Sequence, residues 1–267
     1  MRVACIQSSC GEDYNKNYNH IISLILKSLK NKPDLIITPE TSTLITSNKK
    51  ILYKNSFKMT DDPLVRKVKE ISKKNKKWIL IGSIAIKDKK KYRNRSVMIN
   101  PKGKIVAYYD KIKMFDVKLP NREQHKESKT YKPGKRLVTV KLPWGKLGLT
   151  ICYDLRFPEI YRNLSKKNLN FISVPSAFTK ITGKKHWLQL LTARAIENFC
   201  FIFAPNQTGK NTKKRETFGH SVIISPDGKI LKLKRKGKGI IYAEIDPKET
   251  LKLKKKIPTM MKNNFTL

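Results

Sequence analysis

Residues 147–159 read LGLTICYDLRFPE, and the break at Cys152 decides how the rest of the chain is read. Gly148 to Ile151 is short, apolar and partly β-branched, which suits a buried strand. Directly after Cys152 the polarity flips to Tyr153, Asp154 and Arg156, and Pro158 then suits the first turn of a helix. The segment predicts a strand-to-helix turn of an α/β fold, with its thiol standing clear of the sheet. On such a turn the next backbone N–H groups point toward a carbonyl under attack, and the helix N-terminus favours a thiolate. The other reading is a core cysteine that only fills space, since free Cys is among the most buried residues. The segment by itself leaves both open.

Apolar runs and amphipathic stretches alternate on both sides of that turn. Val3 to Ile6, Leu35 to Thr38 and Trp78 to Ile86 read as early strands. Between the first two, Tyr14, Tyr18, Ile21, Ile22, Ile25 and Leu29 recur at helical spacing and give one apolar face. Asp61-Asp62-Pro63 reads as a helix start, with Leu64, Val68 and Ile71 following on one side. Arg95 to Ile99 and Ile105 to Tyr109 flank Pro101-Lys102-Gly103 as a hairpin, and Pro226-Asp227-Gly228 signals another. Later strands are expected at Leu137 to Val140, Leu147 to Ile151, Phe171 to Val174, Cys200 to Ala204, His220 to Ile224 and Ile240 to Ile245. Helices are expected at Pro158 to Lys166 and Lys185 to Asn198. No linker, low-complexity tract or internal repeat divides the sequence, so one domain over 1–267 is expected, mixed β with layered helices.

Composition narrows the class. A chain of 267 residues can bury a sizeable core. Four cysteines (Cys5, Cys10, Cys152, Cys200) show no CxxC pair, which points to a reducing compartment and away from a zinc site. The N-terminal residues turn polar too soon for a signal peptide, and no apolar run approaches the roughly 20 residues that span a bilayer. A cytoplasmic protein without membrane association is the expectation. The net charge of +39 invites a nucleic-acid reading. Against it, the charge is mostly Lys rather than Arg and is spread along the whole length in expected loops and polar helix faces. Solvated surface is the preferred account, with anionic small substrates drawn in by the field.

Three ionisable residues share one kind of address. Glu40 ends LIITPE, Lys111 ends IVAYYDK and Cys152 ends LGLTIC, each directly after an apolar strand. Ligands of α/β sheets bind beyond the carboxyl ends of strands, where residues distant in sequence meet. A carboxylate can take the thiol proton and later hand one to a departing amine. An ammonium can hold a thiolate by charge and then steady an oxyanion.

In these motifs the chain resembles the carbon–nitrogen hydrolases of the nitrilase superfamily over essentially its whole length. The family's Glu–Lys–Cys triad is similar to Glu40 in LIITPE, Lys111 in YYDKIKMFDV and Cys152 in GLTICYDLRFPE. A second family glutamate matches Glu127 in KESKTYKPG and is implied to position substrate and lysine. VPSAFTKITGKKHW, LLTARAIEN and FGHS extend the match, most closely to the Nit branch, with its deaminated-glutathione amidase and omega-amidase activities. The stretches KRETFGHS and SAFTKITG lean to the former activity, and KESKTYKPG also suits the latter. The resemblance implies a four-layer α-β-β-α sandwich, a homodimer, no cofactor or metal, and thioester chemistry on a primary amide of a small anionic substrate. Relatives usually carry His two residues after the catalytic Lys, where this chain has Lys113.

Neighbouring residues carry smaller expectations. Tyr153 is expected to contribute its backbone N–H to the oxyanion site. Ser176, Ala177, Phe178 and Thr179 follow a strand and are expected to line the substrate pocket. Asp154 and Arg156 are read as an ion pair fixing the turn after Cys152. His186, Trp187 and His220 are read as scaffold, Glu197 as a structural carboxylate, and Cys5 and Cys200 as core. Nitrile hydrolysis and N-acyl transfer remain alternatives on the same triad, and a nucleic-acid-binding protein on an inactive hydrolase scaffold is the reading from another class.

Overall fold

The first strand, β1 (Arg2–Gln7), shows how the sequence builds its layers. Val3 and Cys5 share a core with Leu147, Leu149 and Phe171, whereas Ala4 and Ile6 share another with Ile21, Ile25, Leu64 and Val68. Side chains alternate across a strand, so one face of the sheet meets a second sheet and the other meets helices. A computed structural model of the chain describes residues 1–119, 124–213 and 215–257. The last ten positions of the expected 1–267 domain therefore lie outside the described residues.

The first half of the chain supplies α1 (Tyr14–Ser28), β2 (Leu35–Ile37), α2 (Lys49–Lys54), α3 (Pro63–Asn75), β3 (Trp78–Asp88), β4 (Lys91–Ile99), β5 (Ile105–Asp110), and the short pair β6 (Asp116–Lys118) and β7 (Gln124–Lys126). The second half supplies β8 (Val138–Leu142), β9 (Gly145–Leu149), α4 (Pro158–Ser165), β10 (Phe171–Ser173), α5 (Lys180–Asn198) and β11 (Phe201–Ala204). After these come the hairpin β12 (Thr208–Thr212) and β13 (Arg215–Phe218), then β14 (Ser221–Ile224), β15 (Ile230–Lys234), β16 (Gly239–Glu244) and α6 (Lys248–Lys256).

One six-stranded sheet runs β16-β1-β2-β3-β4-β5 and the other β15-β14-β11-β10-β9-β8. In each, three adjacent strands are parallel, β1-β2-β3 in the first and β9-β10-β11 in the second. Helices α1 and α3 cover the outer face of the first sheet; α4 and α5 bury Ile160, Leu164, Trp187 and Leu191 against the second. This is the expected α-β-β-α sandwich.

The local signals act as read in several places. Asp13 and Asp62 cap α1 and α3 by accepting from the backbone N–H of Lys16 and Val65, with Pro63 in the first turn of α3. Helix α5 begins at Lys180 rather than the expected Lys185. Gly183 weakens the helical pattern in the sequence, but a Cβ there would stand 2.5 Å from the Phe218 ring, so packing requires the glycine. The hairpin β12–β13 was not expected, because TGKNTKKRETF has no apolar alternation to report it.

Gly82 in β3 holds the two sheets together near their carboxyl ends. A Cβ at that position would lie 1.9 Å from the Thr38 carbonyl oxygen, and 2.6 Å from both the Pro39 oxygen and the Pro175 Cβ. Gly82→Ala should therefore lower stability by about 3 kcal/mol, the upper end for overpacking, because the obstruction is mostly backbone. Chemical denaturation of the variant against the native chain measures this.

Candidate active site

Cys152 occupies a strained turn. Its φ of 46° is left-handed, a region costly for a residue with a Cβ, and the backbone turns there from the strand into a short 3-10 turn, Cys152–Arg156, before α4. The Cys152 N–H is held by the Pro175 carbonyl at 3.0 Å. Asp154 fixes the turn from beneath. It accepts from the Ile151 N–H at 2.9 Å, from the Lys113 N–H at 2.9 Å and from the Tyr109 hydroxyl at 2.7 Å. One buried carboxylate thus ties the Cys152 turn to the segment after β5, where Lys111 lies.

That arrangement corrects the expected Asp154–Arg156 ion pair. Asp154 is fully buried and consumed by backbone and phenol donors, while Arg156 lies over the Phe178 ring at 5.1 Å and meets His186 Nδ1 at 3.2 Å. Lys113 takes part in the same arrangement. Its backbone makes the contact with Asp154, and its side chain points to the Phe157 ring at 4.3 Å and Glu159 at 3.5 Å.

Glu40, Lys111 and Cys152 meet, although not on one sheet. Glu40 follows β2 and Lys111 follows β5 of the first sheet, whereas Cys152 follows β9 of the second. Lys111 Nζ sits between two carboxylates, 2.9 Å from Glu40 Oε1 and 2.8 Å from Glu127 Oε2. Both Lys111 and Glu40 are at most 3% exposed, so the interaction operates where water screens little. Glu40 Oε2 accepts the Ala177 N–H at 2.8 Å, and the Glu40 carboxylate interacts electrostatically with the Cys152 thiol. Glu127 is anchored in turn by the Phe115 N–H at 2.7 Å.

Electrostatics fixes the resting protonation. Burial pushes the Cys152 thiol well up and the Glu40 carboxylate adds to this, while Lys111 opposes both. Burial would also push Glu40 up, but the charge and hydrogen bond of Lys111 with the thiol hydrogen bond hold it below the ordinary carboxylate value. Lys111 is disfavoured by burial yet ends well above its ordinary value because Glu127 and Glu40 flank it. The site therefore rests as thiol, carboxylate and ammonium. The thiolate expected from the helix terminus is not the resting form.

Burial raises Asp154 to about 6, against its three donors. A carboxyl raised in this way is ionised only above that pH, and its protonation on the way down removes acceptors from the Lys113 and Ile151 N–H groups. Glu40, being lowered, stays ionised through this range, and the thiol and ammonium do not titrate below about pH 9. Turnover should be level from about pH 7 to 9 and decline as pH falls through about 6, before Glu40 itself is reached. A pH–rate profile of kcat/KM reads this directly.

A cavity of about 250 Å³ opens onto these groups, a size for a small ligand. Of the expected lining residues, Tyr153, Ala177, Phe178 and Thr179 line it. Ser176 does not: it is fully buried, and its hydroxyl donates to the Val174 carbonyl at 3.0 Å. The cavity wall begins one residue later, at Ala177. Tyr153 packs edge-on against Phe115 and Phe157 at 5.1 and 5.4 Å. Among the described residues, no group of three or more His, Cys, Asp or Glu is placed to hold a metal ion.

Asn94, in β4, escaped the sequence reading. Its Nδ2 donates both to Glu40 Oε1 at 2.9 Å and to Glu127 Oε1 at 3.1 Å, so it braces the two glutamates that clasp Lys111. It lies inside YRNRSVMIN, where nothing but a polar residue at a buried strand position could have flagged it. Asn94→Ala should cut kcat/KM by about 10-fold, the value of one hydrogen bond to a charged group, and leave the acidic limb set by Asp154 in place. Steady-state rates across pH test both.

A family model described as carbon-nitrogen hydrolase matches residues 2–255. The chain belongs to the carbon–nitrogen hydrolases. It is 34% identical over 267 residues to a deaminated glutathione amidase of Yersinia enterocolitica, covering 98% of this chain and 93% of that one. It is 30% identical over 272 residues to the omega-amidase NIT3 of Saccharomyces cerevisiae, covering 99% and 94%. In three dimensions it superposes on the C. elegans NitFhit protein with a TM-score of 0.88 at 32% identity, covering 96% of this chain and 63% of that longer one. The resemblance to the Nit branch of the nitrilase superfamily is thereby borne out, and the chain is a hydrolase of C–N bonds other than peptide bonds.

Proposed function

We propose that this carbon–nitrogen hydrolase is a thiol amidase that releases ammonia from a small, carboxylate-bearing primary amide, with Cys152 as nucleophile. One observation carries the reading: Lys111 Nζ bridges Glu40 at 2.9 Å and Glu127 at 2.8 Å, and the cavity onto which all three open is also lined by Cys152. Glu40 removes the thiol proton as Sγ adds to the amide carbon. The ammonium of Lys111 and the backbone N–H of Tyr153 receive the developing oxyanion. Glu40 returns the proton to the nitrogen, the C–N bond breaks, ammonia leaves, and an acyl thioester remains on Cys152. Water then attacks the thioester with Glu40 again as base, giving the carboxylate and restoring the thiol. Glu127 positions Lys111 throughout; Ala177, Phe178 and Thr179 shape the acyl pocket.

The relatives' names, deaminated glutathione amidase and omega-amidase, support the substrate class. The charge of the cavity supports it too: five cationic side chains line it against two carboxylates, and Lys111 already holds both carboxylates. The same reading makes the protein a cytoplasmic homodimer acting as one catalytic domain. No helix among the described residues is long and apolar enough to cross a membrane. Ammonia release measured side by side on deaminated glutathione, 2-oxoglutaramate and a simple aliphatic nitrile tests the assignment. Turnover of either amide above the nitrile is expected; turnover of the nitrile alone contradicts it.

A further inference from the structure

Arg215 opens β13, on the hairpin that lies outside both large sheets, yet it lines the catalytic cavity. Its Nη2 donates to the Ala177 carbonyl at 2.9 Å, and the Ala177 N–H donates to Glu40 Oε2 at 2.8 Å. A single residue therefore links the guanidinium to the general base. Arg215 Nε is buried and has no hydrogen-bond partner. Among the described residues the guanidinium pairs with no carboxylate. A buried guanidinium donor left unmatched is costly, and a site that keeps one has a use for it. Its field reaches the cavity walls, lowering Glu40, Cys10 and Tyr131 against the effect of their burial.

The mechanism above uses every carboxylate of the cavity but not this cation. Glu40 and Glu127 are both held by Lys111, so neither is free to satisfy Arg215. A planar guanidinium that lines the cavity and pairs with no carboxylate among the described residues matches a carboxylate better than a neutral carbonyl, because the fork can donate twice and the charges attract. We propose that Arg215 is the specificity-determining residue that binds a carboxylate at the non-reacting end of the substrate. The site then selects amides whose acyl chain ends in an anion over neutral amides of the same length. This deepens the amidase reading and rests on it.

The test compares glutaramate, the monoamide of glutaric acid, with pentanamide, its neutral counterpart, on the native chain and on Arg215→Gln and Arg215→Lys. The native chain should prefer glutaramate. Arg215→Gln should lower the preference for glutaramate over pentanamide in kcat/KM by about 10- to 150-fold, mostly through KM on glutaramate. Arg215→Lys, which keeps the charge but not the fork, should fall between. An equal loss on both amides would mean that Arg215 only supports Ala177, and would overturn the assignment. So would an unchanged preference in Arg215→Gln, or a native chain indifferent to the carboxylate. A native chain that releases ammonia from neither amide removes the amidase reading itself, an outcome distinct from these.

Discussion

Replacing Cys152 with alanine should abolish ammonia release, by at least about 10⁴-fold, and should leave the protein folded. The side chain removed is one thiol, the turn is held by Asp154 and Pro175 through backbone groups, and those bonds survive. What would disappear is the sulfur that the proposed mechanism uses beside the Glu40 carboxylate. Glu40 and Lys111 remain an ion pair facing an empty position, and neither is a nucleophile toward an amide there. Cys152→Ser should recover little, because a buried hydroxyl is a much weaker acid than the thiol and Glu40 gains little by deprotonating it. Ammonia assays and near-ultraviolet circular dichroism on the same preparations separate lost chemistry from lost fold. Appreciable turnover by Cys152→Ala would remove the thiol from the mechanism.

The second large effect is at Lys111. Lys111→Met should lower kcat by about 10² to 10³, the usual loss for one oxyanion donor. It should also destabilise the fold by about 3–5 kcal/mol, because removing one member of a buried ionic group leaves the others uncompensated. Here the others are two carboxylates that the ammonium holds at 2.8 and 2.9 Å. Without it, burial and mutual repulsion push Glu40 up, so the base becomes protonated near neutrality and residual turnover should rise with pH. Adding Glu127→Gln removes one carboxylate from the pocket. The double variant should regain stability without regaining turnover, which distinguishes the electrostatic role of Lys111 from its part in the reaction.

The frame was legible because short continuous apolar runs mark strands covered on both faces, and proline and aspartate mark the helix starts. Val3 and Cys5 against Ala4 and Ile6 already state that both faces of the sheet are covered. The Glu40, Lys111 and Cys152 positions were legible for a related reason, since each interrupts an apolar run at its carboxyl end. Their meeting from two different sheets was not, because no local pattern encodes how sheets stack. Asn94 and Arg215 were missed on similar grounds. One is a polar residue inside a strand, the other lies in a lysine-rich hairpin without apolar periodicity, and both matter only through what tertiary packing brings to them. Ser176 failed for a finer reason: a one-residue difference in facing sends its hydroxyl to Val174 and leaves Ala177 at the cavity. The resting thiol, too, is a property of burial that a strand-to-helix turn in sequence cannot report.

The common acyl thioester is the centre of the account, and partitioning to an added nucleophile examines it most directly. Hydroxylamine is supplied with an amide and, separately, with the methyl ester of the same acid, and hydroxamate and free acid are quantified. A thioester on Cys152 shared by both substrates gives hydroxamate in one fixed ratio to acid, whichever leaving group departed. A ratio that changes with the leaving group, or acid formed with no hydroxamate at all, would mean that water attacks the substrate directly and that Cys152 never carries the acyl group.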